Sequence, residues 1–268
     1  MFKKEIKIDK AKKLLETLAD NGFSYSLANK LLRNKDVRVN GKVCKENAKL
    51  AVGDLVTVFY KEEVKKFQVV FESENVLIIC KEASFMSEEV EKETGAFLVH
   101  RLDRNTEGLM VLAKNLEAKT KLENAFKNHK VEKFYLCEVV GFFQTNKLFT
   151  AYLVKDAEKA VVKIYDKNVA GSQKIQTRVE TLKAGKESSL LKVEIISGKT
   201  HQIRAHLAHL GHAIIGDGKY GKREDFQRFK EKHQKLFAYS LHFKDVGIEE
   251  LDNQTFQKYP KWMDNVNL

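Results

Sequence analysis

A chain of 268 residues, 43% of them hydrophobic, has room for one large domain, or a large domain with a small satellite, and is too apolar for global disorder. No apolar run approaches the roughly 18 residues that span a bilayer, and the opening MFKKEIKIDK is charged with no apolar stretch behind it. The expectation is therefore a cytoplasmic protein, neither secreted nor membrane-bound.

The net charge of +11 is uneven. Residues 1–61 hold 14 Lys or Arg against 7 Asp or Glu, which is +7, and the remaining residues hold the other +4. Excess positive charge speaks to partners rather than to fold. It favours a polyanion such as RNA, because each neutralised phosphate releases counterions.

Elements follow in chain order. AKKLLETLA predicts a first helix with Leu14, Leu15 and Leu18 on one face, ended by Asn21-Gly22. Ser24 or Ser26 can cap a second helix, SLANKLLRNK, with Leu27 and Leu31 at i,i+4. In VRVNGKV, Val37 and Val39 alternate with polar residues before Asn40-Gly41, a strong hairpin signal. Gly53-Asp54 turns the chain into a strand, LVTVF. KEEVKK, residues 61–66, reads as a charged linker.

Beyond it come short strand-like runs: QVVFES, NVLIICKE, FLVHRL, GLMVLAK, KFYLCEVVG, AVVKIYD, QTRVETL, SLLKVEII and LFAYSLHF. Helical patterns interrupt them at LEAKTKLENAFKNH, THQIRAHLAHLG and REDFQRFKEKH. Many strands and few helices predict an α+β fold, with a large mixed, mainly antiparallel sheet flanked by helices. The division expected is 1–62 for the small basic domain and 63–268 for the large one. Cys44, Cys80 and Cys137 are far apart and read as reduced thiols.

Two constellations carry chemistry. In HRLDRNTEGLMVLAKN, Asp103 sits between Arg101 and Arg104 at the end of an apolar strand. An ionised carboxylate there can act as nucleophile or base; a solvated turn aspartate is the bland alternative. In SGKTHQIRAHLAHLGHAIIGDGKYG, a strand ends at Ile196, Ser197-Gly198 turns, and a helix begins near His201 with Arg204 one turn in. A glycine turn at a helix start offers N–H groups to an anion. His206 and His209 stand at i,i+3, but no acidic or thiol ligand joins them within the helix, so no metal site is expected.

HRLDRNTEGLMVLAK resembles the H-R-L-D-x-x-T-x-G-L signature of the RluA-type pseudouridine synthases. SGKTHQIRAHLAHLGHAIIGDGKYG resembles the second long motif of that family. The resemblance covers residues 67–245. SLANKLLRNKDVRVNGKVCKENAKLAVGD is similar to the small RNA-binding domain first seen in ribosomal protein S-four, a combination that points to the subfamily acting on large-subunit (23S) ribosomal RNA.

The resemblance implies an isomerase that turns uridine into pseudouridine in RNA, without redox change and without a cofactor; the protein is expected to act as a monomer. It places the catalytic aspartate on Asp103, the active-site tyrosine on Tyr135 and the arginine that pairs with the aspartate on Arg204. RNA contacts are expected from Arg101, Arg104, Lys199 and His201, a hydrophobic contact to the base from Leu241, and backbone contacts from Lys30, Arg33, Arg38 and Lys42. Four features depart from the family pattern. Lys199 stands where arginine is usual, Ala213 where proline is usual, Leu236-Phe237-Ala238 replaces L-H-A, and KEASFMSEE replaces the K-P-x-G loop. A carboxylate-dependent glycosidase would need a second acid, for which Glu107 is the nearby candidate.

Overall fold

The computed structural model describes residues 1–60, 66–156, 158 and 160–263; of the charged 61–66 segment, only Lys66 lies within them. The chain forms two compact units, Met1–Val64 and Lys65–Leu268.

The first unit contains β1 (Phe2–Lys7), β2 (Lys12–Lys13), α1 (Leu14–Asp20), α2 (Tyr25–Arg33), β3 (Val37–Val39), β4 (Lys42–Val43), β5 (Lys49–Leu50) and β6 (Leu55–Tyr60). Ser24 caps α2, its Oγ accepting the Leu27 N–H at 3.2 Å, which satisfies a donor the helix cannot pair internally. Leu14 and Leu18 of α1 pack with Ala28, Leu31 and Leu32 of α2 over Val37, Val56 and Val58. Each of these leucine and valine side chains contributes roughly 1.5–3 kcal/mol on burial. Asn40 and Gly41 have φ of 50° and 79°, the left-handed pair that a tight two-residue hairpin requires. Strand β1 pairs along its whole length with β6, Phe2 opposite Tyr60 through Lys7 opposite Leu55. Its four charged residues hide that strand in the sequence, because only Ile6 is buried.

The second unit contains β7 (Phe67–Glu72), β8 (Val76–Lys81), α3 (Ser87–Thr94), β9 (Phe97–Leu98), β10 (Glu107–Ala113), α4 (Leu116–Lys127), β11 (Val131–Val140), β12 (Asn146–Asp156), β13 (Val161–Tyr165), β14 (Gln173–Ala184), β15 (Ser188–Ile195), α5 (Gln202–His209), α6 (Arg223–Phe229), β16 (Leu236–Phe243) and β17 (Thr255–Gln257). One large sheet runs β13-β12-β14-β15-β11-β16-β10-β8-β7, with β17 on β16 and β9 on β10. Among the described residues its pairs are antiparallel except β10 with β16, where Glu107 faces Phe237 and Gly108 faces Ala238 in parallel.

Alternation along the strands divides the core. Leu77, Ile79, Met110 and Leu112 face one side, together with Ile203 and Leu207 of α5. Val76, Ile78, Leu109 and Val111 face the other, against Ala118, Leu122 and Ala125 of α4. Strand β12 and helix α3 were not expected. Leu148 and Phe149 break the period-2 pattern of β12, and α3 is so acidic that its helical face shows only through Val90. The REDFQRFKEKH helix stops at Phe229, because Lys230 turns left-handed at φ 53°. Among the described residues no helix is long and apolar enough to cross a membrane.

Candidate active site

The parallel contact between β10 and β16 positions the site. Gly108 has φ 116°, and a Cβ there would lie 2.3 Å from the Ala238 carbonyl oxygen. Only glycine allows β10 to approach that closely. The segment leading into β10 carries Asp103 on a turn closed by the Thr106 N–H donating to the Asp103 carbonyl at 3.0 Å.

Three buried side chains pin this turn. Ser87 Oγ both donates to the Leu102 carbonyl and accepts the Leu102 N–H, each at 3.1 Å. Gln234 Nε2 donates to Thr106 Oγ1 at 2.6 Å. Lys81, fully enclosed, donates to the carbonyls of Glu82, Phe85 and Arg104 at 2.9, 2.9 and 3.2 Å. Burial pulls its ammonium down to about 8, with Glu107 and Asp103 opposing. Lys81 thus holds the KEASFMSEE loop against the aspartate turn through its carbonyls.

Arg204 comes from the first turn of α5. Its Nη1 donates to Asp103 Oδ2 at 2.7 Å. Its Nε and Nη2 donate to the two oxygens of Asp217 at 2.7 and 2.8 Å. Burial works against the Arg204 cation, but hydrogen bonds and charge from Asp217, then Asp103, outweigh it and raise its pKa. Asp217 is enclosed completely and also accepts the Lys219 N–H at 2.9 Å. It follows Gly216, where a Cβ would sit 2.1 Å from the His233 carbonyl oxygen. The bidentate pair fixes the guanidinium plane, and with it the N–H aimed at Asp103.

His201 caps α5 from the left-handed region, φ 52°, a strained conformation for a side-chain-bearing residue. Tyr220 supports it. The Val162 N–H donates to the Tyr220 hydroxyl oxygen at 2.9 Å, and that hydroxyl lies 2.9 Å from His201 Nδ1. The other ring nitrogen, Nε2, lies 3.8 Å from Asp103 Oδ2. Burial first, and the Arg204 charge, lower the His201 pKa against the pull of Asp103. This favours the neutral imidazole.

Gln202 ties the SGKT turn to the sheet. Its Oε1 accepts from Ser197 Oγ and the Lys199 N–H, and its Nε2 donates to the Gln176 carbonyl and to Thr177 Oγ1.

A cavity of about 80 Å³ opens beside Asp103, lined by Tyr135, Ile195, Leu236 and Ile203 as well as by His201 and Arg204. It continues into a basic cleft of about 640 Å³ that includes Arg101, Arg104, Lys155, Lys199 and Lys219. Tyr135 is buried, and burial, then the charge of Asp103, raises its hydroxyl pKa. The phenol is neutral at physiological pH.

The structure thus brings Asp103, Tyr135, Arg204, His201, Arg101, Arg104 and Lys199 to one place. Arg101 is exposed and pairs with Glu88 at 3.0 Å; Arg104 Nε donates to the Ser84 carbonyl at 3.1 Å. Leu241 does not line the cavity. It shares a face of β16 with Phe243 and packs with Val131 and α4, whereas Leu236 and Ala238, of the opposite parity, face the site. Glu107 does not line it either. His206 and His209 have separate partners, Thr177 Oγ1 at 3.0 Å and Asp166 at 2.8 Å. Lys30, Arg33, Arg38 and Lys42 lie exposed on the first unit. Asp217, Tyr220, Gln202 and Lys81 were missed. The signal for Asp217 was an acid in an otherwise apolar run, AIIGDG, which must find a buried cation.

The sequence pattern described as RNA pseudouridylate synthase matches residues 65–209. An uncharacterized RNA pseudouridine synthase of Helicobacter pylori (strain J99) is 36% identical over 200 residues, covering 73% of this chain and 81% of that protein. Ribosomal large subunit pseudouridine synthase C of Vibrio cholerae is 30% identical over 260 residues, covering 84% and 77%. Among solved structures, human RNA Pseudouridylate Synthase Domain Containing 1 has a similar fold, with TM-score 0.60, 20% identity, 76% of this chain and 96% of that one covered.

Proposed function

Because this chain belongs to the RNA pseudouridylate synthase family, an isomerase of uridine in RNA, we propose that it modifies large-subunit ribosomal RNA in the cytoplasm, with Asp103 as the reacting carboxylate. The observation that carries the site assignment is the Asp103–Arg204–Asp217 chain of ion pairs beside a small cavity walled by Tyr135. The ribosomal substrate is supported by the Vibrio relatives' names and by the +7 charge of residues 1–61.

The reaction breaks the glycosidic bond, turns the uracil and joins its carbon 5 to the ribose. Asp103 either attacks the anomeric carbon or removes the neighbouring ribose proton, and both roles need an ionised, oriented carboxylate. Arg204 supplies orientation and charge. Tyr135 packs against the base. A neutral phenol is a hydrogen-bond donor there; to take the carbon 5 proton it must pass on its own. The target nucleotide has to leave its stack to enter a cavity this small, at a cost of a few kcal/mol. The basic cleft supplies phosphate contacts through Arg101, Arg104 and Lys199.

The first unit grips RNA as a domain of the S-four type, with Lys30, Arg33, Arg38 and Lys42 toward the nucleic-acid backbone. The protein works as a monomer. Pseudouridine mapping in ribosomal RNA from a strain lacking the gene tests this reading. One or more large-subunit sites should revert to uridine and be restored by wild-type protein but not by Asp103→Asn. Loss confined to transfer RNA would overturn the substrate assignment.

A further inference from the structure

A second cavity, of about 340 Å³, adjoins the site and shares Tyr135, Ile195, Gly198 and Arg101 with it. Its other walls include Phe126, Lys127, His129 and Lys133. Among the described residues no carboxylate lines it. Lys133 stands two residues before Tyr135 on β11. Among the described residues its ammonium makes no ion pair, and it lies 5.4 Å from the centre of the Phe126 ring. That ring is also stacked with His100, centroids 4.6 Å apart. The turn at Gly198, φ 54°, brings backbone so close that a Cβ there would lie 3.3 Å from Lys133 Nζ.

A partly buried ammonium with no counter-charge is costly, and burial lowers its pKa accordingly. A structural lysine would be expected to reach a carboxylate or carbonyl, as Lys81 does. Lys133 instead faces an open, acid-free cavity one wall away from the reacting carboxylate. Lys127 adds positive charge at its exposed rim.

We infer that this cavity seats a phosphodiester of the RNA strand, the one flanking the uridine held beside Asp103, with Lys133 as its ion-pair partner. The inference rests on the assignment of the uridine site to the Asp103 cavity. With the base against Tyr135, a flanking phosphate falls on the neighbouring wall. Seating it there holds the flipped nucleotide by its backbone, where sequence does not matter.

The test uses the full-length protein and synthetic RNA oligonucleotides centred on the mapped uridine. Each carries either natural phosphates or one neutral methylphosphonate, placed 5′ or 3′ of that uridine. Lys133→Met should bind natural RNA about tenfold more weakly, and the slope of log affinity against log salt should fall by about 0.7–0.9. With the methylphosphonate at one of the two positions, wild type should drop to the level of Lys133→Met, and Lys133→Met should lose nothing more. Lys133→Gln, a second neutral variant, should repeat the pattern. Equal losses on every backbone, or an unchanged salt slope, would mark Lys133 as merely structural and overturn the inference. Repeating the binding in Asp103→Asn separates the two readings. Wild-type turnover by Asp103→Asn would remove the catalytic assignment, while a persisting Lys133–methylphosphonate coupling would leave the phosphate seat in place.

Discussion

Asp217 takes two of the Arg204 guanidinium donors in its enclosed pocket and leaves a third, Nη1, pointing at Asp103. The carboxylate that faces the cavity is therefore oriented by one that never touches it. Breaking such a buried pair from one side strands a charge, at a cost of about 3–5 kcal/mol.

Asp217→Asn keeps the size but has one acceptor oxygen, and its amide group meets the guanidinium with donors. Thermal unfolding should show a lowered midpoint. Below that midpoint, single-turnover pseudouridine formation should fall at least about tenfold, because a freed guanidinium no longer holds Asp103 in place. RNA affinity should stay near wild type. Wild-type turnover in the folded variant would show that the clamp does not serve the reaction.

Tyr135→Phe separates the ring from the hydroxyl. The ring's packing is retained, so RNA binding should be unchanged. If the hydroxyl holds the base or relays a proton, the single-turnover rate should fall by roughly 100-fold, the low end for acid–base participation. A wild-type rate would leave Tyr135 a packing role alone.

His100 couples pH to stability. Its Nε2 accepts the Val111 N–H at 3.0 Å, which requires an unprotonated nitrogen, and burial, aided by Lys133, lowers its pKa to about 3. The unfolded chain takes up this proton near pH 6.5; the folded chain does so only near 3. Above 6.5 both states are neutral and His100 adds no pH dependence. As pH falls from 6.5 toward 3 the unfolded state binds the extra proton, and stability drops by up to about 1.4 kcal/mol per pH unit. His206, lowered to about 4 chiefly by burial, adds in the same direction. Denaturant melts from pH 7 to 4 should give a shallower slope for His100→Gln than for wild type. Parallel slopes would contradict the assignment.

Much of this was legible in the sequence because it is local. The Asn40-Gly41 hairpin, the Ser24 cap and the Leu14/Leu18 face each follow from a few neighbouring residues. Asp103 and Arg204 were found through two long motifs and Tyr135 through its resemblance to a K-x-Y strand, and the three line one cavity. What was missed depends on distant partners. Strand β1 exists because β6 pairs with it, not because its own residues alternate cleanly. The apolar run around Asp217 shows that it needs a cation but not which one, and Lys81 looks like an ordinary surface charge, until the fold encloses one against Arg204 and the other against three carbonyls. Leu241 was misplaced by strand parity: one residue's shift along β16 exchanges the cavity face for the core face.

The measurement that bears most directly on the account is pseudouridine yield from Asp103→Asn, with enzyme in excess over RNA, long incubation and circular dichroism to confirm the fold. Asn nearly matches Asp in size and tolerates the same turn, so the fold should survive. It carries no charge and is a poor nucleophile. The account predicts no detectable product from a folded protein that still binds RNA. A folded Asp103→Asn protein with near wild-type yield would contradict it.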